Sequence, residues 1–132
     1  MIEINGWVSI HISPDGEGDL ETLKKTIQEI THLIEPLVSF NQFFKIEPLN
    51  GTYILFIGLN HNHDNGYYDL ILKLLDEVGT RASGSYGIVY VRDHDNSSDF
   101  NKFKILKIVR GTVTVEDDKF ISPCNPIIED GF

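Results

Sequence analysis

The chain has a single cysteine, Cys124, a single tryptophan, Trp7, and only 11 basic residues against 20 acidic ones. One cysteine excludes an intrachain disulfide and a cysteine-based zinc cluster, and it fits a reducing compartment. The shortage of Lys and Arg leaves a net charge of −9. Such a field repels phosphate backbones, because nonspecific nucleic-acid binding depends on cations that release counterions. Nucleic acid is therefore not an expected partner, and a basic macromolecule is. No apolar run approaches the ~18 residues that a membrane span requires. The opening Met-Ile-Glu-Ile-Asn lacks the basic stretch of a secretory signal, so the expected location is the cytoplasm, with no membrane partner. The phosphate-binding GxxxxGK, the dinucleotide GxGxxG and the GxSxG nucleophile elbow are all missing, so no cofactor is expected.

The rest of the composition is that of an ordinary globular domain. Hydrophobic residues make up 41% and charged residues 23% of 132 positions, within the usual range for one domain with one core. No internal repeat, linker or low-complexity stretch divides residues 1–132.

Periodicity gives an α+β fold. Ile2, Ile4, Val8, Ile10 and Ile12 alternate with Glu3, Asn5, Trp7, Ser9 and His11, which predicts a half-buried strand ended by Ser13-Pro14-Asp15-Gly16. Leu20, Leu23, Ile27, Ile30, Ile34 and Leu37 fall on one helical stripe, with Asp19 as N-cap and Pro36 near the end. Residues 43–49 and 53–59 flank Asn50-Gly51, a dipeptide suited to a tight type I′ hairpin. Leu70, Ile71, Leu74, Leu75 and Val78 restore the helical period, and Gly79 is the expected stop. Residues 86–91 and 103–109 predict a last hairpin with a long acidic loop. The β-α-β-β-α-β-β order fits a two-layer sandwich, a ferredoxin-like antiparallel sheet with an extra edge strand and both helices on one face.

That layout leaves one sheet face without helices, carrying Trp7, Tyr86, Tyr90 and Arg92. Residues 120–128 are apolar yet hold two prolines, which suits a C-terminal strap over this face; the other reading is an exposed binding surface.

Catalytic chemistry finds little support. His61, His63 and Asp64 have the donor types for a transition metal, and a small metal-dependent hydrolase built on them is the alternative function. A loop does not force them to converge. Asp93, Asp95, Ser97, Asp99 and Asn101 alternate as in a calcium-binding loop, but Ser98 stands where that loop needs glycine and Lys104 where it needs glutamate. Cys124 sits between prolines in an apolar stretch, the setting of an inert thiol. No residue is assigned a catalytic role, and no metal is expected. Strand aromatics on an open face also suggest an RNA-recognition platform, which the acidic charge opposes.

Four segments resemble a known set: Gly6-Trp7-Val8-Ser9-Ile10; residues 84–95, opening Gly84-Ser85-Tyr86-Gly87; Arg110-Gly111; and residues 122–130, opening Ser122-Pro123-Cys124. Together they resemble the immunity protein 7 family of bacterial polymorphic toxin systems. The resemblance implies a small intracellular, non-enzymatic α+β protein that binds and neutralises a cognate toxin, with Trp7, Tyr86 and Cys124 as structural motif residues. His94 departs from the acidic residue usual in the Asp-rich loop. Many such toxins are nucleases with basic clefts, which acidic groups can steer towards and occlude. The expected partner-binding residues are therefore Asp93, Asp95 and Asp99 in the last hairpin loop, Glu116, Asp117 and Asp118 after the last strand, and Glu129 and Asp130 in the tail. The oligomeric state is left open.

Overall fold

The computed structural model describes residues 1–15, 18–39, 41–98 and 100–123. Cys124, Glu129, Asp130 and the remainder of the expected strap lie outside the described residues, as does Asp99.

Nine elements follow one another: β1 Ile2–Ile10, α1 Leu20–Ile34, a 3-10 turn Glu35–Leu37, β2 Gln42–Leu49, β3 Thr52–His61, α2 Tyr67–Arg81, β4 Tyr86–Asp93, β5 Lys104–Val109 and β6 Thr112–Asp117. The strands form one antiparallel sheet in the order β2-β3-β1-β4-β5-β6. The alternation in β1 places it centrally. Ile2, Ile4, Val8 and Ile10 are buried, and Ile4 lies opposite Leu59 of β3 and Val91 of β4. From α1, Ile30 and Ile34 reach the same core, and from α2, Ile71, Leu74, Leu75 and Val78. Each such side chain contributes roughly 1.5–3 kcal/mol by leaving water.

The ends of α1 follow the sequence closely. The Asp19 carboxylate accepts the Thr22 backbone N–H at 2.6 Å, which holds its pKa below the ordinary value. Leu20 does not join the stripe, however. It is 60% exposed, and the buried residues of α1 begin at Thr26.

Two corrections concern the C-terminal half. Gly79 does not stop α2, which continues to Arg81. A Cβ on Gly79 would lie 2.0 Å from the Gly111 carbonyl oxygen, so its role is a close approach of helix to hairpin. Residues 112–117 form a sixth strand where five were expected, so Glu116 and Asp117 lie within the last strand and do not follow it. Arg110 (φ 50°) and Gly111 (φ 73°) turn the chain in the same way as Asn50 (φ 50°) and Gly51 (φ 83°), and Ile108 pairs with Val113 across the turn. Among the described residues no helix is long and apolar enough to cross a membrane.

Candidate partner-binding site

The β4–β5 loop closes over the end of the sheet where β1 begins and α2 starts. Asp93 ends β4, and its carboxylate accepts the Asp95 backbone N–H at 3.0 Å. The Asp95 carboxylate lies 2.7 Å from Nδ1 of His63, across 32 residues of sequence, and 3.4 Å from the N-terminal amine. The His63 hydrogen bond is the main reason its pKa falls below the ordinary aspartate value. Beside them opens a cleft of about 340 Å³ floored by Ile2 and Val91 and walled by Asp64, Tyr68, Asp93, Asn96, Lys102 and Lys104. Burial pushes the Tyr68 phenol up. Asp117 of β6 is 76% exposed at the same end, 3.8 Å from the Lys104 ammonium.

The expected acidic residues thus divide. Asp93, Asp95 and Asp117 share one end of the molecule and are joined there by Asp64. Glu116 points to the opposite sheet face, where it pairs with Lys107 at 3.1 Å. Asp118 is corrected outright: it is 7% exposed, too buried to be a surface docking charge. Its carboxylate accepts N–H bonds from Phe120 at 3.0 Å and Ile121 at 2.9 Å, and the Ser122 hydroxyl at 2.8 Å. The turn so formed is fixed to β5, because Asp118 N–H donates to the Phe103 carbonyl and Phe103 N–H to Ser122 Oγ. Lys102, Lys104 and Tyr68 went unnoticed as cleft walls because they come from separate elements and share no local pattern.

The metal-ligand candidates do not converge. His61 is the last residue of β3; it stacks on Tyr67 at 4.3 Å and shares a hydrogen bond with the Gln42 amide. His63 faces Asp95, and the Asp64 carboxylate caps α2 by accepting the Tyr68 N–H at 3.0 Å. No group of three or more His, Cys, Asp or Glu side chains that could hold a metal occurs among the described residues.

The family model described as immunity protein 7 matches residues 1–130. The chain belongs to the immunity protein 7 family. No curated protein matches it. Among solved structures, a phage SAM lyase in complex with S-methyl-5'-thioadenosine aligns at 12% identity over 92% of this chain and 91% of that one, with a TM-score of 0.37. LarC2, the C-terminal domain of a cyclometallase involved in the synthesis of the NPN cofactor of lactate racemase, aligns in its apo form at 10% identity over 99% and 87%, with a TM-score of 0.27. At those scores neither likeness bears on what this immunity protein does.

Within this family member, parts of the segments that carried the resemblance meet at a structural junction, at the opposite end of β4 from Asp93 and Asp95 of the same segment. Ser85 is fully buried; its Oγ accepts the His11 backbone N–H and its carbonyl accepts the Gly111 N–H. Gly84 donates to the His11 carbonyl, and a Cβ there would lie 2.1 Å from the Ser13 oxygen. The Gly-Ser pair and Arg110-Gly111 therefore join the end of β1, the start of β4 and the β5–β6 turn. Trp7 and Tyr86 meet edge to face at 6.2 Å on the helix-free face.

Proposed function

We propose that this immunity protein neutralises a cognate polymorphic toxin in the cytoplasm, and that the toxin presents a basic surface of the kind nucleases use to hold phosphates. The observation that carries the reading is the gathering of Asp64, Asp93, Asp95 and Asp117 at one end of a member of this family with net charge −9. Carboxylates so placed draw a basic partner in and occupy its phosphate positions. Asp99, Glu129 and Asp130 belong to the same proposed set; Glu116, on the opposite sheet face beside Lys107, is left out of it. We assign the scaffold to the ferredoxin-like class: its central strands run β2-β3-β1-β4, with β5 and β6 widening one side.

The test is the association rate with the toxin encoded beside this chain, measured against ionic strength. Asp93→Lys with Asp117→Lys is expected to slow association about tenfold at low salt and to flatten its salt dependence, with the dissociation rate changed less. A salt-independent rate that this double variant leaves unaltered would remove electrostatic capture from the account.

A further inference from the structure

The face of the sheet that carries no helices differs electrically from the rest of the molecule. Pairing register puts Phe43, Lys45 and Glu47 of β2, Ile54 and Phe56 of β3, Trp7 of β1, Tyr86 and Ile88 of β4, and Lys107 of β5 on it. Three of its aromatics stay open: Trp7 is 39% exposed, Tyr86 48% and Phe43 53%. Its charges cancel. Glu3, Glu47 and Glu116 stand against Lys45, Lys107 and Arg92. Lys45 pairs with Glu47, Lys107 pairs with Glu116 at 3.1 Å, and Arg92 is buried with its Nε donating to the Phe100 carbonyl. The described side chains on this face thus carry no net charge, in a chain whose net charge is −9.

We infer that this face is a self-association surface, on which a second copy of the chain packs sheet against sheet about a two-fold axis. Two chains of the same strong charge repel each other through their acidic surfaces, and the neutral face is where they can approach without that cost. A basic toxin has the opposite preference, so the acidic end and the neutral face take different partners. An isologous contact needs a self-complementary patch. The midline of the six-stranded sheet falls between β1 and β4, so the axis brings Trp7, Tyr86 and Ile88 of the two copies together, an aromatic centre inside a polar rim. Six strands at ~4.8 Å spacing, six to ten residues long, give a face on the order of 600–900 Å², and since the loop over Arg92 covers one corner the open part is somewhat below the roughly 800 Å² per partner of a stable interface, the size of a reversible contact. The inference does not depend on the identity of the toxin, since it concerns the chain alone.

Sedimentation equilibrium of the full chain over a wide concentration range tests it. A reversible transition from 15.0 kDa to twice that mass is expected. Lys107→Glu, which sets unpaired carboxylates on the face of each copy, should raise the midpoint concentration at least about tenfold. Tyr86→Glu should do the same at a half-exposed position the fold tolerates. Lys73→Glu, the same change of charge on the exposed side of α2, should leave the midpoint where it was, and melting curves confirm that all three variants fold. A dimer that Lys107→Glu and Tyr86→Glu do not weaken, or that Lys73→Glu weakens equally, overturns the inference. So does a chain that stays at 15.0 kDa throughout, and dimerisation on removal of residues 124–132 would then give the face to the chain's own tail.

Discussion

Replacing Asp118 should unfold the protein more readily than replacing any of its acidic neighbours. The carboxylate accepts three hydrogen bonds, from Phe120 N–H, Ile121 N–H and Ser122 Oγ, and the same turn clamps Phe103. A bond to a charged acceptor is worth roughly 1.5–3 kcal/mol net, and two of the three donors belong to exposed residues that water can recover. Asp118→Ala should therefore cost about 2–4 kcal/mol. At about 3–4 °C per kcal/mol for a domain of this size, the midpoint should fall by about 10 °C. Asp118→Asn keeps one acceptor oxygen and should fall between. Burial pushes the Asp118 carboxyl up, but the hydrogen bonds from Phe120, Ser122 and Ile121 outweigh it and leave the pKa below the ordinary value. A lowered folded pKa contributes stability that is complete above about pH 4, the unfolded value, and is lost as pH falls through the folded one. The gap between the parent and Asp118→Ala should accordingly narrow in acid. Urea and thermal melts at pH 7 and below pH 4, with Asp117→Ala as the control, measure this. Asp117 is 76% exposed beside Lys104 and should cost under about 0.5 kcal/mol. Equal midpoints for the two variants at pH 7 would refute the assigned role.

Gly79→Ala should cost about 2–3 kcal/mol, because its methyl group meets the Gly111 backbone and the β5–β6 turn has to shift; a melt within about 0.5 kcal/mol of the parent would mean that helix and hairpin are not in this contact. Trp7→Ala, measured at concentrations where the chain is monomeric, should cost about 1–2 kcal/mol. The 3–5 kcal/mol of a fully buried aromatic applies only if the strap covers the indole, and Trp7 is 39% exposed. A denaturant midpoint lowered by the larger amount would place it in the core.

How far the sequence could be read depended on the range of the interaction involved. Asp19 bonds to Thr22, three residues on, and Asn50-Gly51 needs nothing beyond its own dihedrals, so both are visible in a line of text. Arg110-Gly111 makes the same turn but hides it, because arginine rarely takes a positive φ and the strand after it ends in Glu116-Asp117. Three successive acids, Glu116 to Asp118, look alike as sequence. Alternation sends the first to the neutral face and the second to the acidic end, while the third turns inward to bind a loop that only the sheet brings near. His63 and Asp95 show the limit most clearly: local spacing suggests a metal ligand for the first and a calcium-type loop for the second, and each is instead the other's partner across 32 residues.

The segments that carry the resemblance serve both ends of the molecule. Residues 84–95 run along β4 to Asp93 and Asp95 at the acidic end, while Gly84-Ser85, Arg110-Gly111 and Gly6 hold backbone to backbone where β1 meets β4 and the β5–β6 turn. Substituting them strains the fold whatever the partner is, so they carry the architecture. At the acidic end Asp117 is exposed and replaceable at little cost, whereas Asp64 caps α2, Asp93 accepts the Asp95 N–H and Asp95 faces His63. On the function proposed above, toxin specificity in this chain is to be sought at Asp64, Asp93, Asp95 and Asp117, with Lys102 and Lys104 lining the same cleft.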